Sequence, residues 1–279
     1  MNPNLLRAVV NSKKNKNYLS FFFSKWSDNA IRRKSNINIK DFFFNIIAKR
    51  NLDFIIEVGA HEASASIRAS KIGVSAIAIE ANPHTYQIKT IKSEKFGVKT
   101  LNIGIGKKPS SQKFFIPKKN NLAGNATLQK KENEEYNTVE IKVDSLNNLI
   151  LKNKLIEKRI CLWIDVEGHS RDVLEGANKI LEKNNCELIM IEVESYPYFK
   201  NGALATEINQ ILESFNYTAV LADNEYKQQF NVVYIKNKYL DVNSYEIYKA
   251  WANQDKIKYN LKDLLRDIYY KYLHKIKSD

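Results

Sequence analysis

The chain of 279 residues has few of the residues that mark disulfide-stapled or low-complexity proteins: two Cys, nine Gly and five Pro. Cys161 and Cys186 each begin an apolar run, where a free thiol behaves as a small buried hydrophobe, so neither a disulfide framework nor a cysteine metal site is indicated. No apolar run approaches the roughly 18 residues of a membrane-spanning helix, and the apolar stretch at residues 5–10 is too short for a signal peptide. We therefore expect a soluble cytoplasmic protein, at most peripheral at a membrane.

Acidic residues are scarce at the two ends of the chain, where much of the net charge of +13 is concentrated. Residues 1–50 carry eleven Lys and Arg against two Asp, and residues 255–279 carry seven against four. Such ends can contact anionic lipid, glycan or nucleic acid, although solvated lysines need no partner. We predict a basic, aromatic helical extension at residues 1–50, one domain at residues 51–240 and an amphipathic helical extension at residues 241–279.

Apolar residues in both extensions follow helical spacing. Aromatic residues cluster at residues 18–23 and 42–44, and Asp41 is placed as the N-cap of a helix over the second cluster. From Ile257 to Ile276, apolar residues recur at intervals of three and four with lysines opposite. These faces suit packing on the domain, contact with a membrane surface or contact with a second subunit, so the chain is expected to be a monomer or a homo-oligomer.

Short β-branched runs alternate with helical segments between the two ends, as in βαβ units of a mostly parallel sheet. The predicted strands are residues 54–58, 74–79, 98–105, 160–166, 187–193, 217–221 and 230–235, with the last one antiparallel. Residues 114–143 break the alternation and are predicted to pass over the top of the sheet.

Polar residues stand where two of these strands end. Gly59 and Glu80, 21 positions apart, repeat the spacing of nucleoside-binding α/β folds, in which the acid accepts hydrogen bonds from ribose hydroxyls. His61 and Ser64 occupy the places of the second and third glycines of G-x-G-x-x-G, which leaves little room for a pyrophosphate. The pattern therefore favours a nucleoside without phosphates, such as S-adenosylmethionine. A glycine in a packing turn and a solvated carboxylate at a strand end would show the same spacing without any ligand.

Five stretches, in the same order along the chain, resemble the FkbM family of S-adenosylmethionine-dependent methyltransferases. They are residues 56–60, 77–83, 101–106, 143–146 and 162–177. The most specific part is Asp-Val-Glu-Gly at residues 165–168 with Val-Leu-Glu-Gly-Ala at residues 173–177. The resemblance implies a class I methyltransferase fold, an α/β Rossmann-like seven-stranded sheet with helices on both faces and an antiparallel last strand. It also implies O-methylation of a sugar, glycan or secondary-metabolite acceptor, as in polysaccharide biosynthesis.

The same resemblance assigns roles to single residues. The residues that it implies for S-adenosylmethionine are Glu57, Gly59, Ala60 and His61 at the methionine part, Glu80 at the ribose, and Asn82 and Gly104 at the adenine. The family usually has Asp at Glu57, Lys at Trp163 and an acid at Ser170. Since the last two positions lie on the acceptor side, Trp163 and Ser170 are where we expect substrate choice to be decided.

Methyl transfer to an alcohol needs aligned reactants and a base that accepts the hydroxyl proton. Asp165, Glu167 and His169 alternate beyond the fourth strand and would face one side if the segment stays extended. We expect Asp165 or His169 to be the base, with Glu167 orienting the acceptor. His169 could equally be structural at the start of the next helix, and His61 is a second candidate base.

Two further features concern the acceptor side. The preferred reading has no metal, but Asp165 with Glu192 or Glu194 would offer oxygen ligands to Mg²⁺. Residues 120–127 and the aromatic stretch 196–199 are predicted to line the acceptor pocket.

Two other classes of function compete with this interpretation. The basic charge suits a nucleic-acid methyltransferase, although the Asn-Pro-Pro-aromatic block typical of base amino-group methylases is missing after the fourth strand, so nucleic acid is the less favoured partner. A non-catalytic scaffold with the same fold in a glycan-assembly complex is the other alternative.

Overall fold

A computed structural model describes residues 25–118, 121–122, 124, 126–130, 134–183, 185–223 and 228–255. The strands are β1 Phe54–Val58, β2 Ser75–Ile79, β3 Lys99–Leu101, β4 Gly104–Ile105, β5 Ser110–Pro117, β6 Tyr136–Asp144, β7 Ile160–Ile164, β8 Cys186–Glu194, β9 Tyr217–Ala222 and β10 Gln229–Lys236. The helices are α1 Lys25–Arg50, α2 Ser64–Lys71, α3 Pro83–Ile88, α4 Leu146–Lys152, α5 Ser170–Glu175, α6 Asn178–Glu182, α7 Ala205–Ser214 and α8 Ser244–Asp255. Short 3-10 helices cover Thr90–Phe96, Asn237–Tyr239 and Asp241–Asn243.

Seven of these strands form one sheet in the order β3-β2-β1-β7-β8-β10-β9. The first five in this order run parallel, and β10 pairs antiparallel with both β8 and β9. All five side chains of β7 are buried, as expected of a strand covered by helices on both faces. The α/β class, the seven strands and the antiparallel last strand are confirmed.

The predicted third strand, residues 98–105, is in fact two strands in two sheets. β3 lies at the edge of the main sheet, whereas β4 pairs with β6 in a second, three-stranded sheet of order β4-β6-β5. The chain changes direction at Asn102, whose side-chain amide donates to the backbone oxygen of Glu80 at 2.7 Å. The residues predicted to pass over the sheet thus include a β5–β6 hairpin with a small core of its own, around Phe114 and Ile141.

Helix α1 is longer than the pattern predicted and packs into the core of the sheet. Asp41 lies inside this helix and forms an ion pair with Arg68 at 2.7 Å, so the prediction that Asp41 is an N-cap is wrong. The Phe43 ring packs edge-on against Trp163 of β7, with ring centroids 5.5 Å apart. The second aromatic cluster therefore covers one face of the sheet.

Helix α8 adjoins α1, and Trp251 donates its indole N–H to the Val220 oxygen of β9 at 2.6 Å. The aromatic cluster at residues 18–23 and the apolar stripe from Ile257 to Ile276 lie outside the described residues, so the three-part domain organisation stays a prediction. None of the described helices combines the length and the apolar content needed to cross a membrane.

Because Phe43 is fully buried against Trp163, Phe43→Ala is expected to lower the free energy of unfolding by about 3–5 kcal/mol. Ile37→Ala, on the same helix at a side chain that is 53% exposed, should change it by no more than about 0.5 kcal/mol. Urea denaturation measures both variants. Equal, small effects would contradict the packing of α1 on the sheet.

Candidate active site

A cavity of about 440 Å³ lies at the carboxyl ends of β2, β1, β7 and β8, within the size range of small-molecule pockets. Its described lining holds four carboxylates and two imidazoles but no Lys or Arg. These titratable residues are Glu80, Asp165, Glu167, Glu192, His61 and His169. In a chain with a net charge of +13, this lining makes the cavity an acidic region that suits a cationic or hydroxyl-bearing ligand.

The turn after β1 touches the end of β7 so closely that only glycine fits. Gly59 has φ +80°, and a Cβ there would lie 1.7 Å from the backbone oxygen of Asp165. The Asp165 N–H donates to the Val58 oxygen at 2.9 Å, which joins the two strand ends. Gly59 therefore brings the turn after β1 against the turn after β7, residues 165–168, which we call the acidic turn.

Glu80 lines the cavity and is held by two backbone donors. The His61 N–H donates to Oε2 at 2.7 Å, and the Asn82 N–H donates to Oε1 at 2.8 Å. Burial raises the pKa of Glu80, and these two hydrogen bonds oppose the rise. His61 has φ +47° and lines the cavity beside Glu80, as does Gly104. The structure thus brings together Gly59, His61, Glu80 and Gly104 from the residues predicted to hold the cofactor.

Glu57, Ala60 and Asn82 are not among the residues that line the cavity. Glu57 is buried below it and accepts the N–H groups of Ala65 at 3.2 Å and Ser66 at 2.8 Å, at the start of α2. The side-chain Oδ1 of Asn82 accepts the His84 N–H at 3.0 Å and so caps α3. Both side chains support the turns that carry the lining residues. Burial raises the pKa of Glu57 to about 7.

The sequence prediction that Asp165, Glu167 and His169 face one side assumed an extended segment after β7. The acidic turn is not extended. Glu167 has φ +46° and Gly168 has φ +81°, so the chain turns sharply here. A Cβ at Gly168 would lie 2.5 Å from the Phe199 ring. Asp165, Glu167 and His169 nevertheless all line the cavity, because the tight turn carries them to the same side.

His169 stands at the N-cap position of α5 but makes no side-chain capping bond. Its side chain is almost fully buried, with Nδ1 at 3.2 Å from Oδ2 of Asp172, and its buried Nε2 has no hydrogen-bond partner among the described residues. Burial lowers the pKa of His169, and the Asp172 carboxylate opposes this shift. A neutral imidazole in the wall of the cavity is suited to accept a proton.

A residue missed by the sequence interpretation, Gln229 at the start of β10, also lines the cavity. Its side-chain N–H₂ donates to Glu192 at 2.7 Å and to Glu167 at 3.3 Å. Oxygens of Asp165, Glu167 and Glu192 lie within 4.8 Å of one another, a spacing that could hold a cation. Of the two acids offered as partners of Asp165 in the metal alternative, Glu192 belongs to this cluster and Glu194 does not. No motif marks Gln229, because its place depends on strand pairing across the sheet.

The described residues of the segment after β5, namely 121–122, 124 and 126–128, include contacts with both the Glu80 side and the acidic turn. The backbone oxygen of Asn121 accepts a hydrogen bond from the side-chain amide of Asn82 at 2.9 Å. Thr127 donates its hydroxyl to the backbone oxygen of Glu167 at 2.6 Å. Gly124, Ala126, Thr127 and Leu128 line the cavity, and the assignment of this segment to an acceptor pocket stays a prediction.

Two expectations about the acceptor side are wrong. Trp163 packs under α1 on the opposite face of the sheet, because side chains alternate along β7. Ser170 is buried outside the cavity, and its hydroxyl donates to the backbone oxygen of Glu192 at 3.4 Å. Of the aromatic stretch 196–199, Phe199 is buried against Gly168, and neither Tyr196 nor Tyr198 lines the cavity.

Comparison with known proteins yields one family match. A family model described as "Methyltransferase FkbM domain" matches residues 57–219. Comparison with curated protein sequences finds no match.

Several solved structures are similar at low sequence identity. Magnesium protoporphyrin IX methyltransferase (ChlM) from Synechocystis PCC 6803, with bound SAM, is 8% identical with a TM-score of 0.40, over 84% of this chain and 96% of that one. The bifunctional kinase-methyltransferase WbdD is 11% identical with a TM-score of 0.45, over 82% of this chain and 46% of that one. The present chain thus spans about half the length of WbdD.

The contact at Gly59 predicts a large difference between two glycine substitutions. Gly73 has φ +82° but open space around the site of a Cβ, so Gly73→Ala should cost only the backbone strain, about 1–2 kcal/mol. Gly59→Ala should lower the free energy of unfolding by more than about 4 kcal/mol, because a Cβ meets the Asp165 backbone. Urea denaturation distinguishes them, and similar losses would refute the close contact.

Buried Glu57 predicts a pH dependence of stability. Its folded pKa of about 7 lies above its ordinary value of 4.5, so its contribution is present below pH 4.5 and is lost as the pH rises through 7. Between pH 5 and pH 8, the free energy of unfolding should fall by roughly 2 kcal/mol more in the wild type than in Glu57→Gln. Denaturation at both pH values measures this; parallel curves would show that Glu57 titrates normally.

Proposed function

Because the chain belongs to the FkbM methyltransferase family, which uses S-adenosylmethionine, we propose that it methylates a hydroxyl group of a sugar, glycan or related secondary-metabolite acceptor. The observation that carries this proposal is the division of one cavity into two walls. Glu80 and the Gly59 and Gly104 turns form one wall, and the acidic turn with His169 forms the other. One wall suits the cofactor and the other suits an acceptor with a proton to give up.

The described residues fit S-adenosylmethionine. Glu80 offers carboxylate oxygens to ribose hydroxyls, and the Gly59 and Gly104 turns line the same cavity. The carboxylates of the acidic turn favour a sulfonium charge nearby. We propose Gly59, His61, Glu80 and Gly104 as the residues that hold the cofactor.

Bound S-adenosylmethionine supplies an electrophilic methyl group on a positively charged sulfur. The protein has to align an acceptor oxygen with that methyl group and to accept its proton. We propose His169 as the base, since this residue lines the cavity, with Glu167 orienting the acceptor and Asp165 where the two walls meet. Asp165 is the alternative base.

The described cavity gives less support to a nucleic-acid acceptor. Phosphate backbones are held by Lys and Arg, whereas the described lining has four carboxylates and neither of these residues. The neutral hydroxyls of a sugar are compatible with carboxylate acceptors at short range. A scaffold without catalysis is the remaining alternative, and cofactor binding followed by turnover separates it from an enzyme.

Substitutions on the two walls should separate binding from catalysis. Glu80→Ala should weaken S-adenosylmethionine binding by at least about 100-fold, because it removes the charged acceptor for ribose. Asp165→Asn should bind normally but lose at least about 10-fold in turnover, since it changes the acceptor wall. Calorimetry measures binding, and transfer of a labelled methyl group to a panel of methyl glycosides and nucleotide sugars measures turnover.

Thermal melts of both variants serve as the control for folding. The reverse pattern, with Glu80→Ala binding normally and Asp165→Asn failing to bind, would mean that the walls are assigned the wrong way round. Absence of binding and of any thermal shift with the wild type would exclude the enzyme interpretation.

A further inference from the structure

The side-chain amide of Gln229 joins two carboxylates of the acceptor wall. Resting on the proposed function, we propose that Gln229 is a positioning residue: its nitrogen holds Glu167 and Glu192 side by side and so keeps the Glu167 carboxylate directed at the methyl acceptor. This nitrogen lies 2.7 Å from Oε2 of Glu192 and 3.3 Å from Oε2 of Glu167. All three residues line the cavity.

The chemistry of the amide suits this contact. An ionised carboxylate only accepts hydrogen bonds, so the nitrogen of Gln229, and not its oxygen, has to face the two acids. The nitrogen carries two hydrogens and can donate to both carboxylates at the same time. A carboxylate has about four acceptor positions, so one bond to Gln229 does not exhaust the capacity of Glu167 to accept further hydrogen bonds.

The backbone of Glu167 is a second, independent observation. Its φ of +46° lies in the left-handed region, which residues other than Gly, Asn and Asp rarely adopt. Such conformations persist where the surroundings hold them, and they are concentrated at functional sites. The Thr127 hydroxyl donates to the backbone oxygen of Glu167 at 2.6 Å, and Gln229 donates to its side chain. Separate neighbours therefore fix the backbone and the carboxylate of this residue.

The acids of this wall lie close enough to repel one another. Oxygens of Asp165, Glu167 and Glu192 lie within 4.8 Å of one another. Like charges at this distance repel, and the repulsion grows where little water separates them. The amide of Gln229 offsets part of this repulsion and adds no positive charge. The wall thus stays negative and able to accept hydrogen bonds from hydroxyl groups.

The position of the amide is set by strand β10. Gln229 pairs with Glu194 in the antiparallel β8–β10 ladder, and Glu192, two residues away, lies on the same face of the sheet. Just before β10, the backbone oxygen of Gln228 accepts the Ser195 N–H at 2.8 Å. The amide is therefore carried by a paired strand, which places it precisely against the two acids.

Gln229 also has an ordinary structural explanation, as half of a polar pair between neighbouring strands. Gln228 provides the matched control. It precedes Gln229 in the chain, accepts the Tyr198 hydroxyl at 2.6 Å and is not part of the described cavity lining. One substitution made at both positions therefore changes the same side chain once outside and once inside the cavity.

Kinetics with an acceptor found in the panel test the role of the amide. Gln229→Leu keeps a side chain of similar size and removes the donor. It should lower kcat/KM for the acceptor about 10- to 100-fold, the loss expected for a hydrogen bond to a charged group, with S-adenosylmethionine binding unchanged. Gln228→Leu should keep the wild-type value. In a Glu167→Gln background, Gln229→Leu should cost less than about 3-fold more, because Gln229 acts through that carboxylate.

A cation titration tests the placement of Gln229 without any substrate. Carboxylate oxygens suit Mn²⁺, and Gln229→Glu replaces the donor by a fourth carboxylate beside Asp165, Glu167 and Glu192. This variant should bind Mn²⁺ at least about 10-fold more tightly than the wild type in calorimetry. Gln228→Glu adds the same charge outside the described lining and should bind Mn²⁺ as the wild type does. Thermal melts of all variants monitor folding.

Three results would overturn the proposal: equal Mn²⁺ affinities of Gln229→Glu and Gln228→Glu, an unchanged kcat/KM in Gln229→Leu, or the full effect of Gln229→Leu in the Glu167→Gln background. If the Mn²⁺ result is as expected but the wild type binds no S-adenosylmethionine, the proposed function fails, and the placement of Gln229 between the two carboxylates stands.

Discussion

The arrangement of the site depends on the contact between Gly59 and the backbone of Asp165. Two parallel strands, β1 and β7, end side by side, and the Asp165 N–H still donates to Val58 at 2.9 Å where both chains leave the sheet. Any side chain at position 59 would occupy the space of the Asp165 oxygen. The backbone therefore holds two turns in contact, one on the proposed cofactor wall and one on the proposed acceptor wall. Residues of both turns line the same cavity.

Other interactions fix the positions of the turns that surround this cavity. Glu57 caps helix α2 from below, and Gly168 lies flat against Phe199, so each turn rests on a buried group. Thr127 donates its hydroxyl to the backbone oxygen of Glu167 in the acidic turn at 2.6 Å. Glu57 and Phe199 do not line the cavity, but they determine where the turns that carry the lining residues lie.

The sequence predicted those parts of the fold that repeat locally. Buried β-branched runs and the glycine at position 59 reveal strands and a tight turn, and Asp-Val-Glu-Gly carries the family resemblance. It failed where a side chain's neighbour comes from elsewhere in the chain. Trp163 looked like an acceptor-side residue, but alternation along β7 turns it towards α1. Gln229 was missed because strand pairing brings it to the site and it belongs to no motif.

The most direct test of the two-walled site is a crystal structure of the chain with S-adenosylhomocysteine. The account predicts that the ribose hydroxyls contact the Glu80 carboxylate and that the sulfur faces the side of the cavity lined by Asp165 and His169. A ligand bound outside this cavity, or one with its ribose against Asp165 and its sulfur towards Glu80, would contradict it.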